Sequence, residues 1–200
     1  MPLSKIQAES MNLADTYAFT GTVSGTGGLV LLSRQVVSSA VSEVVFNNTL
    51  ITSTYDDYLF RMNAVVPVTD TANQRFQTSG DNGSSFDTNW YSNSIYVRIT
   101  DSASGGNGVT DNQNYFTFLN TAGTGTNEVL GAQIWLNDVN STTAKTWYGE
   151  NVQKTANTHY WKLTDGYFRN STGAVNYLRF YFSTGNIASG TFSLYGLVKS

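Results

Sequence analysis

The sequence of 200 residues contains one histidine, His159, and no cysteine. A Ser-His-Asp triad would have to use His159, yet the chain contains no Gly-x-Ser-x-Gly nucleophile elbow. His159 lies in a predicted strand beside Tyr160 and Trp161, a setting typical of a structural or surface histidine. The absence of cysteine excludes a thiol nucleophile, a thiolate metal site and disulfide bonds.

Acidic side chains offer a second kind of chemistry. A glycosidase needs two carboxylates held about 5 Å or about 6.5–9.5 Å apart across one bond. Here the acids are scattered over predicted loops and almost none falls inside a strand, although catalytic carboxylates usually stand on rigid elements. The acids concerned are Asp56, Asp57, Asp81, Asp87, Asp101, Asp111, Asp138 and Asp165. We therefore predict no enzymatic activity, no catalytic residues and no cofactor.

The loop Asp81-Asn82-Gly83-Ser84-Ser85-Phe86-Asp87 carries oxygen atoms of the kind that calcium binds. Its spacing does not match an EF-hand, and loops of Asp, Asn and Gly commonly form plain turns. A plain turn is the favoured interpretation and a calcium site is the alternative. We predict no metal site.

Aromatic side chains near the predicted loops have the chemistry to stack on sugar rings. The candidates for glycan stacking are Trp90, Tyr91, Trp147 and Tyr148, with Tyr160 and Trp161 nearby. Aromatic residues also supply large burial where protein surfaces meet. Tyr177, Tyr181 and Tyr195 are predicted to face outward on the last two strands, so we favour subunit contact over sugar binding.

The composition bounds the class of protein. Charged residues make up 12% of the chain, aromatic residues 14%, and proline occurs twice; an average protein is about 25% charged. Abundant Tyr, Phe, Val and Thr with Asn, Gly and Ser is typical of strands and turns. A net charge of −3 without a basic run predicts no nucleic-acid partner.

Period-two alternation marks the strands that must position these residues. Tyr58, Phe60, Met62, Ala64 and Val66 are predicted to share one face, and Pro67 is predicted to end that strand. Further predicted strands cover 95–99, 115–119, 131–136, 159–163, 177–182 and 191–198, with long loops at 79–93 and 100–114. This spacing predicts an all-β fold, a two-sheet antiparallel jelly-roll sandwich.

The first residues differ from the rest. Residues 1–28 read as an extended or weakly helical arm followed by a Gly/Ser/Thr linker, and residues 29–200 as the jelly-roll domain. The arm has apolar residues that need a surface to lie on, namely Ile6, Met11, Leu13, Tyr17 and Phe19. No stretch is long and apolar enough to predict a membrane partner, and residues 1–10 lack the apolar core of a signal peptide.

Two stretches carry a resemblance. Thr54-Tyr55-Asp56-Asp57-Tyr58-Leu59-Phe60 leads into Asn63-Ala64-Val65-Val66-Pro67-Val68-Thr69-Asp70, and the chain closes on the Gly-Asn hairpin of 182–196. These stretches resemble the TYDxYxF, NxxPxTD and SGNIxSGTFxLYG motifs of a family of small bacteriophage virion proteins found among phages of aquatic bacteria. The resemblance spans about Leu29 to Ser200. It implies a jelly-roll protein, tail-fibre-like or head-decorating, with no catalytic residues to carry over.

We therefore expect a virion structural protein, made in the cytoplasm of a bacterial host. The favoured placement is the head surface, as a decoration or cement protein attached through its arm and sheet faces, since a tail fibre would need a longer shaft before the domain. The alternative is a short tail fibre or receptor-binding protein that recognises host glycans. The expected partners are the major capsid protein or tail components, and further copies of the chain in a homo-oligomer, by analogy a trimer.

Overall fold

Apolar residues alternate with polar ones between turn-forming clusters, and the described part of the chain folds into twelve strands. A computed structural model describes residues 28–88, 90–99, 104–143, 145–155, 158–169 and 173–198. The strands are β1 (Leu29–Val37), β2 (Glu43–Phe46), β3 (Tyr58–Pro67), β4 (Ala72–Ser79), β5 (Trp90–Ile99), β6 (Ser104–Gln113), β7 (Phe116–Ala122), β8 (Val129–Leu136), β9 (Lys145–Thr155), β10 (Thr158–Arg169), β11 (Tyr177–Phe182) and β12 (Ile187–Leu197). No helix in the described ranges is long and apolar enough to cross a membrane.

The strands form two antiparallel sheets that pack against each other. The larger sheet has the order β1-β12-β3-β8-β9-β10-β5-β6, and the smaller one β2-β11-β4-β7. Without the pairs β5–β6 and β9–β10, the remaining eight strands are β1, β2, β3, β4, β7, β8, β11 and β12. Numbered from one to eight along the chain, they follow the order 1-8-3-6 in the larger sheet and 2-7-4-5 in the smaller one. This is the strand order of a jelly roll. The predicted all-β sandwich is confirmed.

Aromatic rings from both sheets fill the space between them. Phe60 on β3 meets Phe46 on β2 edge-to-face, with ring centroids 5.6 Å apart. Phe192 on β12 lies 5.3 Å from Phe180 on β11. All four side chains are at most 1% exposed. Edge-to-face and tilted contacts of this kind stabilise a core beyond their buried area, so these rings join the two sheets.

Two inserted pairs of strands widen the larger sheet. The β9–β10 pair follows β8, and β10 in turn pairs with β5 of the β5–β6 pair. Part of the predicted loop at 79–93 therefore belongs to β5, and most of the predicted loop at 100–114 is β6. The prediction failed there because Gly and Asn disfavour strands by themselves, whereas pairing with β5 satisfies the backbone groups along one edge of β6.

The alternation on β3 changes phase at Ala64. The side chains of Tyr58, Phe60 and Met62 are buried as predicted, but Ala64 is exposed and Val65 is buried instead. Ala64 has a positive φ of 50°, and the pairing of β3 with β8 shifts between Met62 and Val65. A β-bulge of this kind inserts one residue and reverses which side chains face the core. The prediction that Ala64 and Val66 share the inner face is wrong for this reason.

The two stretches that carry the family resemblance meet in space. The Leu197 amide donates to the Asp57 carbonyl at 2.9 Å, and the Val68 amide donates to the Asn186 carbonyl at 2.8 Å. A β-carbon added at Gly196 would lie 2.5 Å from Tyr55 Cγ. The ring of Tyr55 therefore lies directly on the backbone of the last strand, where only glycine leaves room for it.

The predicted arm, with Ile6, Met11, Leu13, Tyr17 and Phe19, lies outside the described residues. So does the segment Ser4–Ala14, for which weak helical character was predicted. Within the described ranges, the chain enters the larger sheet at Leu29, the first residue of β1.

We expect Gly196→Ala to lower the free energy of unfolding by about 1–3 kcal/mol, because the added methyl group would press on the rigid base of the Tyr55 ring. Urea unfolding followed by fluorescence measures the change. Gly28→Ala is the matched control, since a β-carbon at Gly28 meets nothing within 4 Å. Equal unfolding midpoints for the two variants would show that the Tyr55 contact does not constrain β12.

Candidate functional site

Cross-strand register arranges the outer face of the larger sheet in rows. One row contains Tyr195 on β12, Leu59 on β3, Trp135 on β8 and Tyr148 on β9, each paired with the next. The neighbouring row is displaced by two residues on each of β12, β3, β8 and β9, and it lies about 7 Å away. It contains Arg34, Ser193, Arg61, Gln133 and Glu150. An aromatic row thus lies beside a polar row.

Trp135 and Tyr148 form a stacked pair at the β8–β9 end of the aromatic row. Their ring planes are 18° apart and their centroids 6.4 Å apart. Tyr148 is 47% exposed, whereas Trp135 is half-buried. Packing against Trp135 restricts the Tyr148 ring, so its exposed surface is a preformed aromatic platform.

A cleft of about 270 Å³ lies next to this platform. Its lining residues are Arg61, Asn63, Gly131, Ala132, Gln133, Glu150, Asn151 and Val152. The Gln133 amide donates a short hydrogen bond from Nε2 to Glu150 Oε1. Among the described residues, the Arg61 guanidinium makes no hydrogen bond or ion pair. The cleft thus presents a free cation beside an amide–carboxylate pair.

The outer face of the smaller sheet uses its cations differently. Arg179 on β11 forms an ion pair with Glu43 at 3.0 Å and donates two hydrogen bonds to Gln77 Oε1 at 2.9 and 2.5 Å. Its guanidinium also lies over the rings of Phe86 and Tyr181, 3.7 and 4.9 Å from their centroids. All three guanidinium nitrogens of Arg179 have partners within the fold, so this residue links the side chains around it on the outer face of the smaller sheet.

Arg75 occupies a similar position one strand away. Its guanidinium lies 3.8 Å from the Tyr115 ring centroid and donates a hydrogen bond to the Tyr115 hydroxyl at 3.2 Å. Burial raises the pKa of Tyr181 above its ordinary value, although the cations of Arg179 and Arg75 lower it. The Tyr181 phenol therefore stays neutral at physiological pH.

The structure separates the predicted contact tyrosines. Tyr177 and Tyr181 lie on the outer face of the smaller sheet, whereas Tyr195 lies on that of the larger sheet. Tyr177 also packs on Phe86, with centroids 6.1 Å apart. The three residues therefore do not form one patch, and a single neighbour cannot contact them all on one flat face.

One predicted glycan-stacking residue needs correction. Trp147 is 1% exposed, and its ring stacks on Phe76 with centroids 5.4 Å apart and planes 12° apart. This residue is part of the core that joins the larger sheet to the smaller one, so no sugar reaches its ring. Tyr148, the next residue, points to the opposite face of β9 and is accessible.

The remaining aromatic candidates lie in the inserted strands. Trp90 and Tyr91 belong to β5, and Tyr160 and Trp161 to β10, where the description is confined to the backbone. His159 also belongs to β10, paired with Ile99 and Lys154. The side chains of these residues are outside the described part, and the predictions made for them stay predictions.

The loop considered for calcium uses its first carboxylate internally. Asp81 accepts hydrogen bonds from the hydroxyls of Ser79 and Ser85, both at 2.6 Å, and from the Ser85 amide at 2.8 Å. These bonds lower the pKa of Asp81 from 3.8 to about 2. In the described ranges, no three His, Asp or Glu side chains gather to hold a metal ion.

Sequence reasoning missed four residues of the site, namely Trp135, Arg61, Gln133 and Glu150. The alternation of Gln133 with Trp135 and of Tyr148 with Glu150 was a usable signal, since it places each pair on one strand face. What the sequence lacks is the register that sets β3, β8 and β9 side by side.

Scans against protein-family models, curated proteins and solved structures found no match to this chain. The resemblance to phage virion proteins therefore stays a prediction.

We expect an NMR titration to give a pKa of about 2 for Asp81, and Ser85→Ala to raise it towards 3.8 by removing one hydroxyl donor. Because the folded pKa is the lower one, the carboxylate stabilises the fold above about pH 3.8, and this contribution is lost as the pH falls through about 2.

Ser84→Ala is the control for this titration. Ser84 lies in the same loop, but it bonds to Asp81 through its backbone amide, which donates to the Asp81 carbonyl at 3.4 Å. An Asp81 pKa that is the same in Ser85→Ala as in the wild type would show that the Ser85 hydroxyl does not hold the carboxylate.

Proposed function

We propose that this chain is a non-catalytic structural protein of a bacteriophage particle, located on the head surface as a decoration or cement protein. The observation that carries the proposal is an apolar strand at a sheet edge that no other described strand covers. β1 forms one margin of the larger sheet. Its side chains Leu29, Val30, Leu31 and Val36 are 43, 40, 51 and 63% exposed.

An open edge of this kind favours association. Its outward N–H and C=O groups are ready to pair with another strand, and natural proteins usually protect such edges with charge, proline or a bulge. β1 has a bulge between Leu31 and Ser33 but one charged side chain, Arg34. Exposed apolar residues flank that arginine on both sides, so the edge supports pairing with a second copy about a twofold axis.

The positions of the resemblance motifs also support a structural role. Tyr55 and Asp57 are bound to the last strand, while Val68 is bound to the closing turn. These contacts stabilise the closed sandwich, so the motifs have a structural explanation that needs no catalytic role. A capsid partner is consistent with this structural role, because a stable sandwich with the apolar edge strand β1 can bury additional surface between neighbouring capsid subunits.

We expect the full chain to sediment as an oligomer and Val36→Lys to shift it towards the monomer. Val36 is the most exposed of the apolar residues on β1, so lysine there blocks edge pairing at little cost to folding. Sedimentation velocity at several concentrations measures the shift, with Thr142→Lys on an exposed loop as the control. A monomeric wild type, or a Val36→Lys variant with the wild-type mass, would contradict pairing through β1.

We expect an antibody raised against the purified chain to label the heads of purified phage particles in immunogold electron microscopy. A cement protein must be displayed in many copies over the shell, which predicts label spread across the head. Label confined to the tail tip would overturn the head placement and favour a short tail fibre. Particles that carry none of the protein would overturn the virion function itself.

A further inference from the structure

We propose that the cleft beside Tyr148 binds a short acidic saccharide. The site lies on the outer face of the larger sheet and comprises the Trp135–Tyr148 platform, the Gln133–Glu150 pair and Arg61.

The aromatic platform supplies the apolar contact. A pyranose ring has one face of C–H groups that packs well on an aromatic ring, and the exposed Tyr148 ring offers such a surface. Stacking against Trp135 at 18° holds the platform in place before any ligand arrives. A preordered ring loses little conformational entropy on binding, which favours affinity.

The polar row supplies hydrogen bonds at the right distance. Glu150 follows Tyr148 by two residues on the same face of β9, so the backbone that carries its carboxylate lies about 7 Å from the backbone of Tyr148. One of its oxygens accepts from Gln133, and the remaining acceptor positions are open to sugar hydroxyls. A ring stacked on Tyr148 therefore has its hydroxyls within reach of this row.

The positive charge of Arg61 favours an acidic saccharide over a neutral one. Its guanidinium is exposed in the cleft, carries five N–H donors, and makes no hydrogen bond or ion pair with the described residues. The one carboxylate among the lining residues of the cleft, Glu150, bonds to Gln133 and makes no ion pair with Arg61. A ligand carboxylate would give Arg61 the two-pronged partner that a guanidinium binds best.

The dimensions of the cleft limit the size of the ligand. A volume of about 270 Å³ lies just below the roughly 300–1,000 Å³ of sites for drug-sized molecules. Arg61 on β3 and Tyr148 on β9 are two strands apart, about 10 Å across the sheet at a spacing of about 4.8 Å. One or two sugar rings span this distance.

The test uses the full chain on an array of pyranose oligosaccharides printed in matched pairs, one member with a carboxylate and one with a hydroxymethyl group at the same carbon. We expect the acidic member of at least one pair to be retained at least tenfold better than its neutral counterpart. Quenching of tryptophan fluorescence by that acidic oligosaccharide then measures its affinity in solution.

The variants separate this cleft from other surfaces. Tyr148→Ala and Arg61→Ala are expected to weaken binding of the acidic oligosaccharide at least tenfold, and Arg61→Ala to abolish the preference over the neutral one. Tyr148→Phe keeps the ring and should bind like the wild type. Arg34→Ala is the charge control, since Arg34 is exposed in the same polar row but on β1.

Three results would overturn the proposal. The first is a wild-type chain that retains no oligosaccharide on the array. The second is equal retention of acidic and neutral partners, which would remove the role of Arg61. The third is wild-type affinity in both Tyr148→Ala and Arg61→Ala, which would place the binding elsewhere on the protein. Melting temperatures close to the wild-type value show that each variant is folded.

Discussion

The fold depends on the insertion of the last strand between the first and the third. β12 pairs with β1 along one edge and with β3 along the other, so both of its edges are satisfied by backbone hydrogen bonds. The same strand delivers Phe192 to the centre of the core, between Phe60 and Phe180. Gly190 has a φ of 152° and Gly196 leaves room for Tyr55, so the strand fits only because two of its positions lack side chains.

The inserted strand β9 completes the aromatic platform and the cleft on the larger sheet. Without β9, the strand β8 would be a sheet margin, and the Trp135–Tyr148 platform and the Gln133–Glu150 pair would not exist. The inserted strands are in turn anchored by Trp147, which β9 sends inward to stack on Phe76 of the smaller sheet. Adjacent residues of one strand thus serve opposite purposes, since Trp147 stabilises the core while Tyr148 faces solvent.

The two outer faces differ in how they treat their cations. On the smaller sheet, Arg179 contacts Glu43, Gln77 and two aromatic rings, so its charge is engaged by neighbouring side chains of the same fold. On the larger sheet, Arg61 lines a cleft and makes no hydrogen bond or ion pair with the described residues. The apolar edge strand β1 is separated by β12 from the polar cleft, which β3, β8 and β9 line, so the proposed pairing through β1 would leave the cleft open.

The sequence by itself determined the fold class and much of the inner face. Alternation in β11 correctly predicted that Leu178, Phe180 and Phe182 are buried, because successive side chains of a strand must point to opposite sides. Gly185, with a φ of 70°, was foreseeable from its Gly-Asn turn. The tertiary structure alone decided the phase change at Ala64, the strand made by residues 104–113, and the choice of Trp147 over Tyr148 for the core. Each of these depends on which strand lies alongside, and pairing partners far apart in the chain leave no mark on local periodicity.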